Sequence, residues 1–205
     1  MTTRVAVALL AVLSALQLGA AAWSIARYES TLASGALYRV RTAAVDPADA
    51  FRGRYVAVQP SITLAEPIAA ETRDLLDSFP ADRRRIYVEL AAGADGFATA
   101  ARILTEPPAS GDYLEIEQAW PQWDQRTPGS GEPRRIGYTL TFPFDRYYMN
   151  ETAAPAAERK YFDAQGRDPA SRAWVTVRVK DGLGVIESLY VNGVPIEQAV
   201  APQTR

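Results

Sequence analysis

The sequence predicts a mainly β protein, an antiparallel β-rich domain with short helical inserts that follows one N-terminal transmembrane helix. Three observations lead there. Val5 to Ala26 runs for 22 residues without a charge. Beyond Ala26 the apolar residues fall into short alternating runs, and all 14 prolines lie at or after Pro47. Asp181-Gly182 and Asn192-Gly193 then punctuate the last of these runs with the chemistry of two-residue hairpin turns, which need positive φ.

The N-terminal segment comes first in the argument. A helix over Val5–Ala26 spans about 33 Å at ~1.5 Å per residue, enough for a hydrocarbon core of ~30 Å. Its nine Leu, Val and Ile residues favour insertion, offset in part by Gln17, Gly19 and two serines. Arg4 precedes it, Trp23 suits the interfacial belt, and Arg27 follows. Ala20-Ala21-Ala22 offers a signal-peptidase pattern, but the apolar run continues through Trp23 and Ile25, longer than a signal core. The expected organisation is a cytoplasmic stub at 1–4, an anchor at 5–26 and an extracytoplasmic domain at 27–205, in the cytoplasmic membrane with the C-terminal domain outside.

Period-2 alternation with β-branched and aromatic residues places strands at Leu37–Thr42, Tyr55–Ile62, Ile86–Leu90, Phe97–Leu104, Tyr113–Gln118, Ile136–Phe142, Trp174–Lys180 and Val185–Val191. Trp174 to Ile196 reads as a three-stranded meander. Glu66-Pro67 followed by Ile68, Glu71, Leu75 and Leu76 predicts a helical insert. Pro155 in a first turn, with Glu158 and then Tyr161-Phe162, predicts another. Residues 121–133, rich in Gly, Pro and Ser, read as an exposed loop and as the boundary between two small β subdomains if there are two. Asp46, Pro47 and Asp49 suit a capped helical turn that Gly53 ends before a strand begins at Tyr55.

Composition then restricts the chemistry. With no histidine and no cysteine there is no Ser-His-Asp triad, thiol nucleophile, thiolate or imidazole metal site, or disulfide. Formal charge of −2 argues against a nucleic-acid binder, and the Arg83–Arg85 and Arg134-Arg135 runs have acidic neighbours. No glycine-rich loop leads from a strand into a helix, so the phosphate cradle of nucleotide-binding folds is not expected. No cofactor and no metal are expected, since no loop has calcium-ligand spacing.

The segment Val45-Asp46-Pro47, Phe51-Arg52-Gly53, Tyr55 and Val58 resembles the opening of the GDYXXLXY family of membrane-anchored proteins, with Arg54, Val58 and Pro60 standing where that family has Asp, Leu and Tyr. Arg146-Tyr147-Tyr148-Met149-Asn150-Glu151 with Glu158 looks like its aromatic-rich segment, and the strands through Val175–Val191 with Asn192-Gly193 look like its closing hairpin. The resemblance implies a β-rich extracytoplasmic domain and a multi-spanning membrane protein as partner, without an established activity. The surface it singles out comprises Asp46, Arg52, Arg54, Tyr55, Arg146, Tyr147, Tyr148, Glu151 and Glu158. Gly53 to Val58 is also echoed by Gly111 to Ile116, for which shared turn chemistry before an aromatic strand is the simpler account.

Three function classes follow. The leading one is a non-catalytic binding or accessory module for a membrane protein or envelope component. A second is an envelope hydrolase, either with carboxylates from Asp145, Glu151 and Glu158 or with a Ser-Lys pair drawn from Ser30, Ser34, Lys160 and Lys180. A third is a carbohydrate- or peptide-binding domain with Trp120 and Trp123 as an aromatic platform; the simpler account packs Trp120 between two sheets.

Overall fold

A computed structural model describes residues 3–43, 55–79, 85–124, 134–165 and 173–201. The chain opens with α1 (Thr3–Ser34), continues through β1 (Ala36–Ala43), β2 (Tyr55–Ala57), β3 (Gln59–Ala65), α2 (Ala70–Ser78), β4 (Tyr87–Ala92), β5 (Ala98–Leu104), β6 (Tyr113–Glu115), β7 (Gln118–Trp123) and β8 (Arg135–Thr141), and closes with β9 (Arg146–Tyr148), α3 (Ala154–Gln165), β10 (Ala173–Lys180), β11 (Leu183–Val191), β12 (Val194–Pro195) and α4 (Ile196–Val200). A seven-stranded sheet in the order β12-β11-β10-β1-β3-β8-β7 is accompanied by a three-stranded sheet β5-β4-β6 and a pair β2-β9. Every described pairing is antiparallel.

Helix α1 is long because it is built of alanine and leucine, which lose little on entering a helix, and contains no proline. It reaches eight residues beyond the predicted span. Its apolar surface is exposed along the length expected to cross a membrane, and only the last turns meet the domain. There Thr31 is buried with its hydroxyl back-bonded to the Arg27 carbonyl at 3.0 Å, and the Gly35 amide closes the helix on the Thr31 carbonyl at 2.8 Å. A Cβ on Gly35 would lie 2.5 Å from the Thr31 oxygen and 3.0 Å from that of Val179, so only glycine lets helix and strand meet this closely.

The β10-β11-β12 meander forms as expected, with positive φ at Asp181, Gly182, Asn192 and Gly193, the signature of type I′ turns. Both helical inserts form, as α2 and α3. Other expectations need correction. Tyr55–Ile62 is two strands, because the Val58 amide bonds to the Asp145 carbonyl at 2.9 Å and the chain changes sheets there. Tyr113–Gln118 breaks in the same way, with the Ile116 amide on the Ile86 carbonyl at 2.9 Å. Pro121–Trp123 is strand rather than loop; β7 ends the sheet, where a proline without an amide proton is tolerated.

β7 and β8 pair with each other, and among the described residues one core joins all three sheets to α2, α3 and α4. That core contains Val40, Val56, Leu76, Val88, Leu114, Tyr138, Tyr161, Val177, Leu189 and Ile196. Burying a side chain of this size contributes about 1.5–3 kcal/mol.

Candidate functional site

Two segments far apart in sequence meet in the β2-β9 pair. Its register sets Tyr55 opposite Tyr148, Val56 opposite Tyr147 and Ala57 opposite Arg146. Alternation sends the members of each strand to opposite faces. Val56 and Tyr147 turn inward, and the Tyr147 hydroxyl donates to a Glu197 carboxylate oxygen on α4. Burial, then that carboxylate, push the Tyr147 phenol up. Tyr55, Arg146 and Tyr148 turn outward. The Tyr55 and Tyr148 rings meet edge-on with centroids 5.8 Å apart, and the Arg146 guanidinium lies 5.3 Å from the Tyr55 ring centroid. Arg146 also pairs with Asp145 at 3.4 Å. Tyr148 is 67% exposed, the most solvent-open aromatic side chain of the patch.

The structure thus brings Tyr55, Arg146 and Tyr148 together, whereas Tyr147 belongs to the core. Glu151 sits exposed in the turn before α3, and Glu158 is half-buried on α3. Neither lines a described cavity. The turn is organised instead by Asn150, whose side-chain oxygen accepts from the Thr152 amide at 2.9 Å and the Thr152 hydroxyl at 2.7 Å. Asp46, Arg52 and Arg54 lie outside the described residues, as does the turn expected around Pro47.

The Ser-Lys candidates sort differently. Lys160 donates to the Ala199 carbonyl and ties α3 to α4. Lys180 donates to both Ser30 Oγ and Ser34 Oγ at 2.8 Å, across the junction of α1 with the β10-β11 hairpin. Arg27 reaches the Asp181 carbonyl at 3.4 Å, and Arg178 reaches that of Gly35 at 3.2 Å. The four contacts form a clamp between helix and hairpin. Ser30 and Ser34 are exposed and Lys180 lacks the apolar enclosure that a lysine base requires, so the arrangement serves docking.

One cavity has a different character. About 410 Å³ in volume, it is lined by Glu66, Pro67, Arg73, Trp123, Arg134 and Arg135, where the end of β3, helix α2 and the β7-β8 hairpin converge. Arg135 is held between two rings, 5.2 Å from each of the Trp123 and Tyr138 centroids. Its Nη1 donates to Asp77 Oδ1 and Oδ2 at 2.9 and 2.7 Å, and also contacts the Tyr138 hydroxyl, which itself donates to Asp77 at 2.7 Å. Arg73 Nη2 donates to Glu66 at 3.0 Å and to the Ile68 carbonyl at 3.3 Å. The Ile68 amide, followed by Arg73, holds the Glu66 carboxyl below its usual range. Burial would raise the Asp77 carboxyl, but Tyr138 and Arg135 outweigh it and hold it low. The same burial and Asp77 push the Tyr138 phenol up to about 12. Trp120 stands 54% exposed on β7 rather than between sheets, and Trp123 joins the cavity without it. In the sequence Arg134-Arg135 reads as a charge run with acidic neighbours. A signal was present in Trp123 and Arg135 flanking one loop, but Arg73 and Glu66 came from another segment.

A family model described as GDYXXLXY protein matches residues 17–189. The chain belongs to the GDYXXLXY family. No curated protein and no solved structure matches it. The Gly111-Asp112-Tyr113 segment, the second half of the internal echo, leads into β6. Its roles are architectural. Gly111 takes φ +96°, which a side chain resists. Asp112 accepts from the Tyr38 hydroxyl of β1 at 2.9 Å, and its carbonyl accepts from Leu90 at 2.8 Å. Tyr113 packs edge-on to Tyr87 and covers Gly182, whose Cβ would come within 2.7 Å of its ring. This segment ties the small sheet to β1 and to the hairpin that clamps α1.

Proposed function

We propose that this GDYXXLXY protein is a single-pass protein of the cytoplasmic membrane, held by α1 with its β domain outside the cytoplasm, and that it works as a non-catalytic binding or accessory module. The observation that carries this reading is the way α1 ends. Its exposed apolar length needs a bilayer, while its last turns are clamped to the β10-β11 hairpin through Arg27, Ser30, Ser34 and Lys180. Cleavage near Ala20–Ala22 would cut through a continuous helix whose far end is part of the domain. This continuity supports an uncleaved anchor.

The contact face in this reading is Tyr55, Arg146 and Tyr148, with a membrane protein or envelope component as partner. An exposed tyrosine and a half-buried one beside an arginine supply the residue types that dominate binding energy at interfaces. A photo-cross-linking residue placed at Tyr148, with Ala101 on β5 as control, tests it in intact cells. The expected outcome is one discrete adduct from position 148 and none from position 101, with the chain resistant to alkaline carbonate extraction. Release of the chain by carbonate, or identical adducts from both positions, overturns the reading.

A further inference from the structure

The cavity between α2 and the β7-β8 hairpin carries more guanidinium than its surroundings use. Arg135 commits Nη1 to Asp77 and Tyr138, and Arg73 commits Nη2 to Glu66 and Ile68. Among the described residues, Arg135 Nη2 and Arg73 Nη1 have no partner, and the buried Nε of each is likewise unpartnered. Arg134 lines the same cavity, exposed, with no side-chain partner among the described residues. Three guanidinium groups face one carboxylate of the lining, Glu66, which Arg73 already neutralises. Arg135 cannot turn away, because two rings and the Asp77 carboxylate fix its plane. A planar fork held in advance is the arrangement that recognises oxyanions, since the cost of ordering it has already been met in folding.

The register adds a direction. β3 runs antiparallel to β1, so its last residues and Glu66 lie toward the end of the sheet where α1 enters. Arg135 and Trp123, paired with each other at the corresponding ends of β8 and β7, lie there too. The cavity therefore sits on the anchor side of the domain.

The geometry points to an oxyanion-binding site, formed by Arg73, Arg134 and Arg135 with Trp123 as its wall, that takes a phosphate or carboxylate group. That group belongs either to an anionic phospholipid headgroup or to a soluble ligand. The lipid source rests on the anchored reading above; the soluble source does not.

The test uses the full chain. Purified in a non-ionic detergent at constant ionic strength, it is titrated with inorganic phosphate and with acetate, followed by Trp fluorescence. In parallel, it is placed in nanodiscs of phosphatidylcholine alone or with phosphatidylglycerol, and lipid retention is measured. Saturable binding of either soluble anion, weakened at least tenfold by Arg134→Gln, establishes the site with a soluble ligand. Selective retention of phosphatidylglycerol, lost in Arg134→Gln and Arg73→Gln, establishes it with a lipid headgroup. Arg134→Gln removes an exposed side chain with no partner among the described residues, so its thermal midpoint should match the parent. Absence of saturable binding in every arm, or binding equal in Arg134→Gln and Arg73→Gln to the parent, overturns the assignment. A chain that carbonate releases from membranes but that still binds phosphate removes the anchored reading and leaves the site standing.

Discussion

Replacing Tyr138 by phenylalanine tests whether the wall of the arginine cavity is held by its polar network. Tyr138 is fully buried, and its ring position is kept by the substitution, so the only loss is a hydroxyl that donates to Asp77 at 2.7 Å and contacts Arg135. A hydrogen bond to a charged group is worth about 1.5–3 kcal/mol. Asp77 keeps two contacts to Arg135, which places the expected cost near the lower half of that range, about 2 kcal/mol. For a chain of this size that corresponds to a fall of roughly 4–8 °C in the thermal midpoint. The pH dependence has a definite sign. The folded-state pKa of Tyr138, about 12, is above its ordinary value of 10.0, so its contribution is complete below pH 10 and is lost as pH rises through 12. Midpoints of parent and Tyr138→Phe, read by near-ultraviolet circular dichroism in detergent, should differ by a constant amount from neutral pH to about 9 and then converge between 10 and 12. A difference below about 0.5 kcal/mol at neutral pH, within the range of an ordinary surface change, would refute the network.

Other consequences follow from the same structure. Glu66 and Asp77 are both held below their ordinary values, so their contributions are present above the ordinary carboxyl range and are lost as pH falls below it; acid unfolding should begin earlier in Arg73→Gln than in parent if these carboxylates matter. Gly137→Ala puts a Cβ 2.0 Å from the Leu64 carbonyl oxygen, a backbone atom of the paired strand, and should abolish cooperative folding; a midpoint within about 1 °C of parent, a cost below about 0.5 kcal/mol on the size scaling used above, would show the β3-β8 register to be wrong. Leu76→Ala empties a fully buried position between α2 and the core and should cost about 2–5 kcal/mol by denaturant titration. Tyr38→Phe removes the bond to Asp112 and should cost about 1–2 kcal/mol, with an alkaline convergence like that of Tyr138, since Tyr38 is likewise pushed up to about 12 by burial and Asp112.

The elements legible in the sequence were those whose cause is local. Asp181-Gly182 and Asn192-Gly193 specify their turns by backbone preference alone, and the charge-free run to Ala26 specifies a helix by length and composition. What was not legible depended on distant partners. Nothing near Val58 or Ile116 announces that the chain changes sheets there, because the deciding hydrogen bonds go to Asp145 and Ile86. The echo between 53–58 and 111–116, explained more simply as shared turn chemistry, has an architectural counterpart. Val56 and Leu114 are buried centres of three-residue strands, and the strands that follow, β3 and β7, flank β8 on its two sides. Tyr55 and Arg146 were each picked out by resemblance, but their contact needed the β2-β9 register. The arginine cavity was hidden for the same reason, its residues being split among three segments.

The junction at the end of α1 sets where each face of the domain stands. If Val5–Ala26 fills the hydrocarbon, the eight residues Arg27–Ser34 rise about 12 Å beyond it, past a headgroup layer of roughly 5–7 Å. The β10-β11 hairpin lies alongside these turns, with Asp181 at the level of Arg27 and Arg178 at that of Gly35. The hairpin tip therefore points to the bilayer and the strands point away from it. β1 climbs about 26 Å over its eight residues, and β3 begins near that far end, with β2 immediately before it. Tyr55, Arg146 and Tyr148 accordingly occupy the membrane-distal side, and the arginine cavity the proximal side. In that placement a partner engaging the tyrosine face must offer a part standing well clear of the bilayer, since no bilayer-embedded helix reaches that height, whereas the cavity, level with the end of α1, stands only about 5–7 Å above the headgroup layer.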